Sequence, residues 1–143
     1  MRYHPDHLGR MPVPDEYYSG SPLHVATRKN NLSHMESLIA DNVDVNIKDN
    51  KIFGQTPMHL AAHNGSCAAM ELLYRHKATL DIADEFNNDT PMHYAAAANK
   101  VEAIQWLIDH GAKIDTPNKN DLTPLDMAVE NQCKEAIALL QRD

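Results

Sequence analysis

The sequence predicts an all-α protein of four stacked helix-turn-helix units. The first observation is a motif of Ser or Thr followed by Pro, whose four prolines (Pro22, Pro57, Pro91 and Pro124) are 35, 34 and 33 residues apart. The second is apolar residues at helical spacing after each copy. The third is a hydrophobic content of 43% in 143 residues, which is enough for one domain with a core. A fixed period of this length indicates units that pack only on their neighbours.

Each copy of the motif predicts the start of a helix. The Ser or Thr oxygen accepts a hydrogen bond from a free amide of the first turn, and Pro suits the first helical position. The fullest copy reads Thr-Pro-Met-His-Leu-Ala-Ala from Thr56 to Ala62, and the others begin at Ser21, Thr90 and Thr123.

Recurrence of this motif at a period near 33 residues resembles the ankyrin repeat, from about Asp15 to the C-terminus. The resemblance implies one domain over residues 21–143, with repeats at about 21–55, 56–89, 90–122 and 123–143. In each repeat we expect two antiparallel helices, which are predicted at residues 22–29 and 32–40 in the first repeat. The resemblance implies that each β-like stretch after a second helix (43–46, 79–82 and 113–115) leads into a short, projecting β-hairpin finger. Residues 1–20 hold three prolines and no helical period, which predicts an extended, partly disordered lead-in.

The family usually places Gly between the two helices of a repeat and again after the second. Asn replaces Gly at three of these positions and tolerates the left-handed conformation better than most residues with a side chain. Lys77 replaces it after the second helix of repeat two, so it is predicted to be the most strained position. The full set is Asn30, Gly65 and Asn99 between helices, and Asn42, Lys77 and Gly111 after them.

Composition excludes several classes of partner and compartment. A net charge of −7 argues against nucleic acid, and no stretch of 18 apolar residues is present to span a membrane. The N-terminus lacks the apolar core of a signal peptide, so we expect a cytoplasmic or nuclear protein. Cys67 and Cys133 fall in the predicted helices of repeats two and four, too far apart for a disulfide, and are interpreted as small core residues.

No motif specifies a reaction, a cofactor or a metal site. His59 and His63 have the spacing of a helical zinc pair, but the residues between them contain no Glu and no third ligand is apparent. His24, His59 and His93 recur at one place in the motif, where the family uses His to tie the helix start to the finger. We therefore expect a protein that is not an enzyme.

An alternative is the substrate-targeting or regulatory ankyrin region of a larger enzyme whose catalytic domain lies outside this chain. The Met1 start and the polar residues of repeat four favour an intact protein or an N-terminal region. A purely structural spacer would have polar fingers, which this sequence lacks.

The function that the resemblance implies is binding of a protein or peptide partner, as an adaptor, a scaffold or a stoichiometric inhibitor that is a monomer on its own. Family members commonly bind through finger tips and the exposed ends of first helices. Carried over by position, the finger residues are Tyr17, Tyr18, Lys51, Ile52, Phe53, Gln55, Glu85, Phe86, Asp89, Lys119 and Leu122. The helix residues are Arg28, Lys29, His63, Asn64, Ala97 and Ala98.

Two features of this set are particular to the sequence. The finger tips are apolar where turns are ordinarily polar, although Phe53 and Phe86 have the alternative of folding back on their hairpins or on residues 1–20. The charge of the exposed ends of the first helices changes from basic at Arg28 and Lys29 to acidic at Glu130. Between them, the small side chains of Ala97 and Ala98 are expected to leave a smooth notch. A bound peptide would then be oriented by charge.

Asn46 is a candidate modification site. With Asp44 two residues before it and Leu38 eight before, it resembles the Asn that a dioxygenase hydroxylates in some ankyrin repeats.

Overall fold

The computed structural model describes residues 21–49 and 54–141, which form eight helices. The predicted lead-in at residues 1–20 and residues 50–53 of the first finger lie outside the described residues. The helices alternate between first and second members of each repeat, as predicted. They are α1 (Pro22–Arg28), α2 (Leu32–Ala40), α3 (Pro57–Asn64), α4 (Cys67–Arg75), α5 (Pro91–Ala97), α6 (Val101–Asp109), α7 (Pro124–Glu130) and α8 (Lys134–Leu140).

All four first helices begin with the predicted cap. The N-cap residue is Ser21, Thr56, Thr90 or Thr123, and its side-chain oxygen accepts from the backbone amide three residues on. The side chain at that third position accepts in return from the N-cap amide, which completes a capping box, and Pro occupies the first turn. Two orphan amides of each helix are thereby satisfied.

The core lies between the two layers of helices. Leu23, Met58 and Met92 occupy one motif position in the first helices and are buried, together with Met70 and Ile104 of the second helices. The first helices pack more closely on one another than the second helices do. Fully buried alanines at 61, 62, 95 and 96 permit this approach. The stack therefore bends toward the first helices, whose ends line its inner face.

The fingers differ from the prediction, because residues 21–49 and 54–141 contain no β-strand. Each finger is closed at its base by one backbone hydrogen bond, which is too little for a ladder. The Asp or Asn side chain at that point also accepts from backbone amides of its own finger: Asp49 from Gln55, Asp84 from Asn87 and Asp89, and Asn118 from Asn120 and Leu122. The closing bonds run from Asp49 to Gln55 (2.9 Å), Asp84 to Asp89 (2.8 Å) and Asn118 to Leu122 (2.9 Å).

The six predicted left-handed positions are confirmed, with φ between 54° and 86°. Lys77, at φ 73°, adopts the conformation without the freedom of Gly. Repeat four has an equivalent position at Gln132 (φ 58°), which the prediction missed because Gln is not a usual left-handed residue. Cys133 was also misplaced: it is buried, but it precedes α8 rather than lying in it.

Replacing Lys77 with Gly should stabilise the protein by about 0.5–1 kcal/mol, since relief of left-handed strain exceeds the extra entropy of Gly in the unfolded chain. The matched reverse change is Gly111→Ala, because Gly111 has φ 86° and a Cβ built there meets nothing within 4 Å. It should destabilise by a similar amount, about 1 kcal/mol. Urea unfolding measures both, and a stabilised Gly111→Ala variant would contradict the backbone-strain argument.

Candidate functional site

Three motif histidines tie each first helix to the finger that follows it. The Nδ1 atom of His59 accepts from the Thr56 amide at 3.1 Å, and Nε2 donates to the Asp89 carbonyl at 2.8 Å. A backbone amide only donates and a carbonyl only accepts, so this geometry requires a neutral ring with its hydrogen on Nε2. His24 and His93 make the same pair of bonds, with the carbonyls of Gln55 and Leu122. The structural interpretation of these histidines is confirmed.

Burial reinforces the neutral state. It lowers the pKa of His59 to about 4, against a smaller upward effect of the Asp89 hydrogen bond and the Asp84 charge. Burial likewise lowers the pKa of His24. Both imidazoles therefore have a structural role, which is to hold the following finger in place.

The fingers contact one another and form one continuous surface, which we call the finger ridge (residues 48–49, 54–55, 84–89 and 118–122). The Lys119 amide donates to the Asn87 carbonyl at 2.9 Å, and its Nζ donates to the Glu85 carbonyl at 3.0 Å. Lys48 Nζ lies 3.6 Å from a Glu85 carboxylate oxygen. Gly54 packs so closely that a Cβ there would come within 2.6 Å of the Glu85 side chain. Each finger is therefore held by its neighbour.

A buried polar network at the second finger escaped the sequence analysis. Tyr94 donates from Oη to Asp84 Oδ2 at 2.6 Å and accepts from Gln55 Nε2 at 2.8 Å. Asp84 Oδ1 accepts from the amides of Asn87 and Asp89. Through Tyr94, the first finger is connected to the turn that shapes the second.

Two signals for this network were present in the sequence. Asp49, Asp84 and Asn118 are 35 and 34 residues apart, the same intervals as the first three motif prolines. Tyr94 also occupies a motif position that is apolar in the other three repeats. A hydroxyl in such a position indicates a specific partner.

The predicted finger residues divide into those that the structure describes and those that it does not. Phe86 is 57% exposed at the tip of the second finger. Glu85 and Lys119 are exposed beside it, while Gln55, Asp89 and Leu122 are half-buried and hydrogen-bonded within the ridge. The apolar finger tips stay a prediction, because four of the six residues, Tyr17, Tyr18, Ile52 and Phe53, lie outside the described residues, as does Lys51. Of the other two, Phe86 is exposed and Leu122 is half-buried.

The helix-end residues line the inner face. Lys29, His63 and Asn64 are exposed, and Arg28 is half-buried with Nη2 3.4 Å from Gln55 Oε1. Asn64 also has an internal role, because its Nδ2 donates to the carbonyls of Thr27 and Arg28, both at 3.1 Å. It caps the end of α1 from the next repeat.

A cavity of about 230 Å³, the notch, opens between α3, α5 and α7 on this face. It contains Ala97 and Ala98 and brings them together with His63 and Asp89, two other residues that were predicted to bind a partner. Its wall also includes three residues that the sequence analysis had not connected with binding. The lining residues are His63, Asp89, His93, Tyr94, Ala97, Ala98 and Met127.

Asn46 is hydrogen-bonded to the second repeat through both the oxygen and the nitrogen of its side-chain amide. Oδ1 accepts from the Thr79 amide at 2.8 Å, and Nδ2 donates to the Lys77 carbonyl at 3.4 Å. Hydroxylation there stays a prediction, and it would require an enzyme to reach a half-buried side chain that joins two repeats.

Within residues 21–49 and 54–141, no group of three or more His, Cys, Asp or Glu side chains is placed to hold a metal ion. No helix in this part of the chain has the length and apolarity needed to cross a membrane. Cys67 and Cys133 are free thiols. The geometry that the described residues do present is a rigid ridge beside a small notch.

A family model described as "Ankyrin repeats (3 copies)" matches the chain twice, over residues 23–117 and over residues 70–143. The matches overlap and together reach from α1 to the C-terminal residue.

Proposed function

The chain belongs to the ankyrin-repeat family, whose repeats are generally protein–protein interaction modules, and we propose that it binds a partner protein or peptide without catalysing a reaction. The partner contacts the finger ridge and the adjacent ends of α1, α3, α5 and α7. An adaptor, a scaffold and a stoichiometric inhibitor are all compatible with such a surface, and we propose that the chain is a monomer on its own.

The observation that carries this proposal is an exposed aromatic side chain on a rigid ridge. Phe86 is 57% exposed, and the backbone on either side of it is held by Lys119 and by the turn at Asp84. A preorganised surface loses little conformational entropy on binding. Aromatic side chains are also the usual hot spots of interfaces.

Charge on the inner face supports an oriented partner. Lys29 near the start of the stack and Glu130 at its last first helix are both exposed. A peptide that lies across the helix ends is expected to place acidic residues toward repeat one and basic residues toward repeat four.

The polar chemistry on this face supports a role without catalysis. The motif histidines are neutral and already hydrogen-bonded, and Tyr94 uses its hydroxyl within the ridge. The two free thiols are compatible with a reducing compartment, so we propose a cytoplasmic or nuclear location.

Replacing Phe86 with Ala should weaken partner binding by about 2 kcal/mol, roughly thirtyfold in Kd, because a hot-spot ring is lost. The partner is first identified by mass spectrometry of proteins that co-purify with the wild-type chain, and affinities are then measured by calorimetry. The matched control is Tyr74→Ala, because Tyr74 is 39% exposed on α4, away from the ridge. Equal affinity of Phe86→Ala and wild type would contradict binding through the ridge.

A further inference from the structure

The notch has an acidic wall. Asp89 contributes a half-buried carboxylate, and one of its oxygens, Oδ1, accepts from Asn118 Nδ2 at 2.9 Å. Asn118 is a neutral donor, so this bond leaves the negative charge in place. The ion pairs among the described residues involve Glu71 and Glu85 and include neither Asp89 nor Asp84.

A second carboxylate lies behind the same wall. Asp84 is 3% exposed and accepts from the hydroxyl of Tyr94, whose ring lines the notch. Burial, the Asp84 hydrogen bond and the charges of Asp84 and Asp89 raise the pKa of Tyr94 well above its usual value. The hydroxyl therefore stays protonated, and the notch is a site of negative potential with an aromatic side.

The remaining walls are uncharged. His93 is a neutral ring that is held by bonds on both nitrogens, and Ala97, Ala98 and Met127 are small or apolar. An apolar side chain in the notch would remove water from the Asp89 carboxylate without giving it a new hydrogen-bond donor. An anion would be repelled by the negative charge of Asp89. A long side chain with an alkyl stem and a cationic end satisfies both parts of the wall.

We propose that the notch binds a cationic side chain of the partner, an arginine in preference to a lysine, with the charge beside Asp89 and the stem on Ala97 and Ala98. Arginine is preferred because a planar guanidinium both pairs with a carboxylate and packs against an aromatic ring. This inference rests on the proposed function and names the chemistry of one contact. It places a basic residue of the partner at the third repeat, beside Asp89, which is three residues along the chain from Phe86.

The test is a selection of random 12-residue peptides displayed on phage against the wild-type chain. The best peptide is then measured by calorimetry, beside a version in which its arginine is replaced by citrulline, a neutral isostere. We expect enriched peptides to share an arginine, and we expect citrulline to weaken binding about tenfold or more, the usual effect of losing a charge-assisted contact.

Three variants of the chain locate the contact. Asp89→Asn removes the charge but keeps an oxygen for Asn118, and Ala97→Leu fills the notch. Each should weaken the binding of the arginine peptide about tenfold or more. The arginine and citrulline peptides should bind Asp89→Asn with equal affinity. The matched control is Glu36→Gln, which removes an exposed charge from α2, outside both the notch lining and the finger ridge, and should leave affinity unchanged.

Enriched peptides without a shared cation, an arginine peptide that binds Asp89→Asn as tightly as wild type, or no enrichment at all would each overturn the inference. Asp89→Asn decides the question even where Ala97→Leu fails to fold. None of these outcomes bears on the proposed function, which is decided separately by the effect of Phe86→Ala on a protein partner.

Discussion

Replacing His59 with Ala should lower the free energy of unfolding by about 3–5 kcal/mol, the largest effect of any single substitution considered for this chain. His59 is fully buried, and its loss leaves the Thr56 amide and the Asp89 carbonyl without their ring partner. An unsatisfied buried polar group costs about 1–3 kcal/mol, and the vacated ring volume adds to this. Small domains have only about 5–15 kcal/mol of stability in total.

The matched control is His63→Ala, one turn later on the same helix. His63 is exposed, so its removal should change stability by less than about 0.5 kcal/mol. Urea unfolding followed by circular dichroism measures both variants. A His59→Ala protein as stable as His63→Ala would show that the ring is not the tie that its hydrogen bonds indicate.

Features that depend on neighbouring residues were predictable from the sequence. A capping box needs only a Ser or Thr and, three residues later, a side chain with an acceptor, and Pro suits the first helical position, so the starts of all four first helices were predicted correctly. Left-handed positions such as Asn30 and Lys77 followed from the places where the family usually has Gly. A local backbone requirement depends on a few adjacent residues, so the sequence shows it directly.

Features that depend on contacts between repeats were not predictable in the same way. The fingers were expected to be β-hairpins, whereas one backbone bond closes the base of each finger, and an Asp or Asn side chain and contacts with the next finger support it. The Tyr94 network joins residues 39 apart in sequence, and no local pattern specifies that pairing. Ala97 and Ala98 were identified by position from the resemblance to ankyrin repeats, but the acidic wall of the notch emerged only when Asp89 was placed against them.

Scaffold and candidate site share the same hydrogen bonds. The carbonyls that His59 and His93 hold belong to Asp89 and Leu122, two residues that sequence reasoning had assigned to partner binding. Loss of either histidine is thus expected to disturb the ridge and the notch together with the fold. Stability and affinity should be measured separately for any variant of the motif.

Acid should unfold this protein in part through His59. The pKa of this imidazole is about 4 in the folded protein, against about 6.5 in an unfolded chain. As the pH falls below 6.5 the unfolded state binds the proton first, so stability is fully present above that pH and declines until the pH reaches about 4. The loss over this window should be about 3 kcal/mol, at 1.36 kcal/mol per pKa unit.

The measurement compares wild type with His59→Gln in urea unfolding between pH 7.5 and about pH 4, so that the carboxylates common to both proteins cancel. Wild type should be the more stable at pH 7, and its advantage should shrink by about 3 kcal/mol on acidification, because Gln carries no proton to release or take up. His24, whose pKa burial also lowers, remains in both proteins and contributes equally. A difference that does not change with pH would mean that the pKa of His59 is the same in the folded and unfolded protein, and it would contradict a neutral imidazole held by burial and by its bonds to an amide and a carbonyl.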